Sequence, residues 1–220
     1  MKTSHPVSFL PFLFTSLLFQ LQQIPALEYS SSATTTTTVA QPTPAATTTN
    51  NTDFIRTSCE ATLYPELCCN SLIRYANAVQ QDPSRLASIA ISVSLTEAKL
   101  IPAYVSNLTH QVEYGAGANT REVNALHDCI TVFSDAVEQM RNSLKQLGRL
   151  GSPGPTFVFQ VSNVQTWMSA ALSNEDTCTE GFGDVPDGPI KSDICNRVVK
   201  VKDMTSNALA LVNSYVAREL

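Results

Sequence analysis

Between Glu122 and Leu147 the apolar positions are Val123, Leu126, Ile130, Phe133, Val137, Met140, Leu144 and Leu147, stepping by three and four in alternation. That spacing puts all eight on one stripe of an α-helix, the seam of a coiled-coil-like bundle. Charged residues lie between them, and a stripe this long needs other helices to cover it. Asn119 or Thr120 caps this helix, and Gly148 to Pro155 reads as a turn.

Three further segments keep the same rhythm. Asp82-Pro83 is a helix start, and Leu86, Ile89, Ala90, Val93 and Leu100 give the helix an apolar face. Pro102 should kink it, and Tyr104, Val105 and Leu108 continue beyond. Phe157, Val161, Val164, Met168 and Ala171 predict a helix over 157–177, with Trp167 at the edge of its stripe. Ile190, Ile194, Val198, Val201, Ala208, Leu211 and Tyr215 predict a last helix from near Pro189. Two shorter helices, 54–63 and 66–79, break at Pro65. No segment reads as a strand. The expected fold is all-α, an up-down four-helix bundle carrying an N-terminal helical hairpin.

Composition changes the picture at the N-terminus. Residues 1–26 read as a secretory signal, with Lys2, the apolar run Val7 to Phe19 and Ala26 near a cut site. That run is too short, and too interrupted by Pro11, to span a bilayer. No second run suggests a membrane helix, so the mature chain is expected to be soluble and secreted. Residues 27–52 are dominated by Ser, Thr, Ala and Pro and are expected to form a disordered linker, with the folded domain at 53–220. Asn50-Asn51-Thr52 and Asn107-Leu108-Thr109 are N-glycosylation sequons at Asn50 and Asn107. The formal charge is −5 and the pI about 5.1, with no basic patch, which argues against nucleic acid and anionic lipid as partners.

Six cysteines in an oxidising compartment point to disulfides. Cys59 and Cys68 flank the break at Pro65 and fit a hairpin closed by a small ring, worth roughly 3 kcal/mol. Cys129 lies early in the second bundle helix and Cys178 at the end of the third; antiparallel neighbours would bring them together, for roughly 4 kcal/mol. Cys69 and Cys195 are left over, either as thiols or as a third pair, and their spacing favours thiols. No metal site is expected: His127 and Cys129 point to different helix faces. No phosphate loop or nucleophile turn appears, and no cofactor is implied. The acidic residues Glu175, Asp176, Glu180, Asp184 and Asp187 lack a calcium-loop pattern and read as a solvated loop.

Four stretches together resemble one family. They are Phe54-Ile55-Arg56-Thr57-Ser58-Cys59 with Leu63-Tyr64-Pro65-Glu66-Leu67-Cys68; Ala125-Leu126-His127-Asp128-Cys129 with Asp135-Ala136-Val137; Val164 through Leu172 with Thr177-Cys178; and Thr205 through Leu211. In this order, with four cysteines so placed, the chain resembles the plant invertase and pectin methylesterase inhibitors. The resemblance implies a four-helix bundle with an N-terminal hairpin and the disulfides Cys59–Cys68 and Cys129–Cys178. It implies a cell-wall (apoplast) protein that binds an enzyme one to one and blocks its active site, and is no enzyme itself. The stretches Val164–Leu172 and Thr205–Leu211 look like the pectin methylesterase branch; the alternative partner is acid invertase.

With the seam facing the core, a partner would use the polar faces of the second and third bundle helices. Candidate contact residues are Thr131, Ser134, Asp135, Glu138, Asn142, Asn174 and Thr177. Three other readings compete. An inhibitory pro-region of a larger esterase is disfavoured by the end at Leu220, directly after the last helix. An enzyme needs a polar pocket that the heptad stripes leave little room for. A structural wall protein would be held by its Thr-rich tether.

Overall fold

The computed structural model describes residues 44–115 and 119–220, with side chains from residue 49 onward, and no strand occurs among them. The expected signal at 1–26 and most of the linker lie outside the described residues. The helices are α1 (Pro44–Glu60), α2 (Pro65–Leu72), α3 (Ala76–Val79), α4 (Pro83–Ala98), α5 (Leu100–Glu113), α6 (Thr120–Leu147), α7 (Pro155–Glu180) and α8 (Pro189–Glu219), with a 3₁₀ turn at Ile73–Tyr75.

Local chemistry sets most of these starts. The Asp82 carboxylate accepts from the backbone N–H of Ser84 at 2.8 Å and of Arg85 at 3.2 Å, and Pro83 supplies the fixed first turn. Asn119 accepts from Arg121 N at 3.0 Å and caps α6. Pro155 and Pro189 open α7 and α8. The expected kink at Pro102 is a break at Lys99, between α4 and α5. Pro102 has no N–H for the carbonyl of Ala98, four residues back, and its ring crowds that carbonyl.

Four rods alternate in direction. α4 and α5 run together antiparallel to α8, marked by Glu97 beside Lys200 at 3.4 Å and Tyr104 bonded to Asp193. α6 turns back beside α5, where His127 Nε2 meets Glu113 Oε1 at 2.8 Å. α7 runs antiparallel to α6, and α8 to α7, with Gln165 bonded to Asn213 and Asp176 to Lys202. The core between the rods is built from Leu86, Ile91, Leu126, Phe133, Met140, Phe157, Met168, Ile194 and Val198, each almost fully buried. No second run apolar enough for a membrane helix was expected, yet by length and composition Pro83–Glu113, α4 and α5 together, is one; half of its most apolar window is buried in the bundle.

The N-terminal hairpin packs on α4 and α8. Cys59 and Cys68 are bonded with their Cα atoms 5.6 Å apart, closing the turn between α1 and α2. Helix begins at Pro44, nine residues before the expected domain start, so 44–52 is not a linker without structure. Asn51 is buried and accepts a hydrogen bond from Gln81 Nε2 at 3.2 Å, which ties α1 to the turn after α3. The expected helix 66–79 is three pieces, ending where Gln80 and Gln81 take positive φ of 52° and 61°.

Candidate functional site

The face that α6 turns to solvent depends on which residues it buries. Leu126, Cys129, Phe133, Ala136, Met140, Ser143 and Leu147 are buried, again in steps of three and four. Val123, Ile130 and Leu144 of the expected seam are only half-buried. The true seam is therefore turned by about 50° toward α7. The shift comes from three small side chains, Cys129, Ala136 and Ser143, which let α7 approach. Ser143 Oγ lies 3.4 Å from the carbonyl of Val164, and at Cys129–Cys178 the Cα atoms are 4.4 Å apart.

Opposite that seam lie the candidate contact residues. Thr131, Ser134, Asp135 and Glu138 are exposed on α6, as is Thr177 on α7; Asn142 and Asn174 are half-buried. Their chemistry differs. Thr131, Ser134 and Thr177 donate to the carbonyls one turn back in their own helices, of His127 (3.2 Å), Ile130 (2.7 Å) and Ser173 (2.9 Å). Each hydroxyl is left as an acceptor. Asn174 donates to Gln139 Oε1 at 3.1 Å, so its amide already serves the α6–α7 contact. Asp135 and Glu138 have no ion-pair partner among the described residues.

The outer face of α7 adds residues that the sequence reading passed over. Ser162, Thr166, Ser169 and Ser173 are exposed, and no charged residue occurs from Pro155 to Asn174. A long exposed helix face without charge is cheaper to desolvate than a charged one. The signal was present in the sequence as a charge-free run, masked by its similarity to a plain polar surface.

The sequence matches the model of the family described as plant invertase/pectin methylesterase inhibitor over residues 53–211. The chain belongs to that family. It is 40% identical over 169 residues to pectinesterase inhibitor 11 of Arabidopsis thaliana, covering 76% of this chain and 82% of that one. It is 41% identical over 167 residues to the 21 kDa protein of Daucus carota, covering 75% and 84%. With pectinesterase inhibitor 10 of Arabidopsis thaliana it shares 39% over 170 residues, 77% of this chain but about half (53%) of the relative's length. In fold it resembles the crystal structure of a mutant form of a pectin methylesterase inhibitor from Arabidopsis, at TM-score 0.57 and 18% identity, over 72% of this chain and 95% of that one.

Within this inhibitor family scaffold the remaining functional groups sort by position. Cys69 and Cys195 are half-buried thiols, and burial pushes Cys195 above the usual thiol range. His110 and His127 are exposed on their helices, the first stacked with Tyr114. Trp167 is half-buried at the edge of α7. The acidic residues at the end of α7 are not all solvated, contrary to expectation. Asp184 and Asp187 are exposed, but Glu175 is inside the bundle at 0% exposure, because α7 continues through Glu180 and carries position 175 onto its core face.

Proposed function

We propose that this chain is a secreted inhibitor of pectin methylesterase. It binds the enzyme one to one and covers its active site, limiting removal of methyl esters from wall pectin. The observation that carries the reading is identity near 40% to two relatives named pectinesterase inhibitors, over at least 169 residues of each. The exposed faces of α6 and α7 support it as the docking surface: a charge-free strip on α7 beside the unpaired carboxylates Asp135 and Glu138. A partner suited to it offers hydrogen-bond donors to the hydroxyl oxygens and a basic rim to the two carboxylates. A footprint of about 800 Å² per partner takes in 20 or more residues, so the strip and its flanks act together. Asn50 and Asn107 are both exposed and are proposed to carry N-linked sugar.

The deciding experiment titrates purified pectin methylesterase with the protein while released acid is recorded. Activity should fall to an end point at one equivalent. Unchanged activity across several esterase isoforms would sink the reading, and loss of sucrose hydrolysis by acid invertase in the same format would move the assignment to the other target named in the family description.

A further inference from the structure

We propose that Glu175 is a carboxylic acid that keeps its proton inside the folded bundle, making the α7–α8 contact a pH-sensitive joint that is tight in acid and loosens as the surroundings turn alkaline. Among the described residues it is the only acidic or basic side chain that is fully buried. Its Oε1 lies 2.9 Å from Thr205 Oγ1 on α8, and its Oε2 is buried with no partner. Thr205 Oγ1 is also 3.0 Å from the carbonyl of Val201. A hydroxyl has one proton and cannot donate to both. With Glu175 protonated the contacts resolve: Glu175 donates to Thr205, and Thr205 donates to Val201. With Glu175 ionised, one contact is lost and a full charge sits beside an unpartnered oxygen in the interior.

The surroundings favour the acid. Burial is the largest influence and pushes its pKa up from 4.5 to about 8; Asp176 adds to the rise, while Thr205 and Lys202 oppose it. Lys202 is held by Asp176 at 2.7 Å rather than by Glu175. Asp203 on α8 acts on the Tyr64 hydroxyl of the hairpin, which it pushes up, rather than on Glu175. From α4 and α6 the buried polar side chains are Ser94 and Ser143, neither of them charged.

The sign follows from linkage. The folded state holds one proton that the unfolded state releases above about pH 4.5, so the Glu175 contribution to stability is full below that pH and declines as pH rises toward 8. Asn174 and Thr177 flank Glu175 on α7, so loosening there falls on one end of the proposed docking face. That consequence rests on the proposed function; the proton does not.

The test is chemical denaturation of the full chain and of Glu175→Gln between pH 5 and 8. Glutamine keeps the shape and the donor without the ionisation. The unfolding constant of the wild type should rise about tenfold per pH unit relative to the variant, one proton's worth. Parallel profiles overturn the proposal. Should the variant fold poorly, infrared titration of the wild type decides: one protonated carboxyl band should persist at pH 7 and vanish above pH 8, and loss of every such band by pH 6 overturns it. Esterase binding measured at pH 6 and 8 on both proteins then tests the effect on docking separately.

Discussion

Asn207 on α8 grips the backbone of Tyr64 at both ends of the residue. Its Nδ2 donates to Tyr64 O at 2.9 Å, and Tyr64 N donates to its Oδ1 at 3.0 Å. Asn207 is 3% exposed, so these bonds form away from water. They join the hairpin turn to the bundle across 143 residues of sequence, next to the Cys59–Cys68 ring.

Asn207→Ala should therefore cost about 2–3 kcal/mol, because two backbone groups lose partners that water reaches poorly. Urea unfolding measures the loss, and limited proteolysis should cut first in α1 or the α1–α2 turn. A variant as stable as wild type, with an unchanged cleavage pattern, would show that the hairpin is held by its apolar contacts alone.

The two disulfides should differ in weight. Cys129 and Cys178 are 49 residues apart and Cys59 and Cys68 only 9, so loop-closure entropy assigns about 4 and about 3 kcal/mol. Replacing both members of each pair with serine and comparing denaturation midpoints tests the order. Loss of Cys129–Cys178 should also unzip the start of α6 from the end of α7, visible as faster amide exchange at 125–132 and 174–180. Equal losses with uniform exchange would refute the assignment.

The sequence made the long rods legible because α6, α7 and α8 each repeat large apolar residues every three or four positions. It misjudged the rotation of α6, because Cys129, Ala136 and Ser143 carry little hydrophobic signal although they sit at the closest approach of α7. It did not show the first turns of α1, where threonine-rich sequence is helical and Asn51 is bonded to Gln81. Glu175 was hidden by its company: among acidic neighbours it looks solvated, and only the helix phase shows it facing inward. The candidate contact residues were legible as polar positions of a helix, but the bond that occupies Asn174 depends on Gln139 across the helix–helix gap.

The charge-free strip of α7 offers a clean test of the docking surface. Thr166→Arg and Ser169→Arg place bulk and charge on exposed positions, so stability should stay within about 0.5 kcal/mol of wild type. Binding to pectin methylesterase, measured by calorimetry, should fall at least tenfold for either. Asp135→Lys with Glu138→Lys should instead reduce the salt dependence of binding. Full binding by both arginine variants would move the interface to another face.

Asp193 should contribute to the loss of stability in acid. It accepts from the Tyr104 hydroxyl and from Arg197 Nε at 3.0 and 3.1 Å, and Arg197 also lies 4.1 Å above the Tyr104 ring, so one carboxylate ties α5 to α8. The Tyr104 hydroxyl first, and Arg197 second, hold its pKa below the ordinary 3.8. A carboxylate depressed in the folded state contributes stability that is fully present above the unfolded value and is lost as pH falls through the folded one. Asp193→Asn should thus be less stable than wild type at pH 5, and the gap should close below about pH 3.8. A gap in melting temperature that stays constant from pH 6 to pH 2 would remove Asp193 from this role. Glu175 acts in the opposite sense above pH 4.5, so the contributions of these two carboxylates to stability slope in opposite directions with pH.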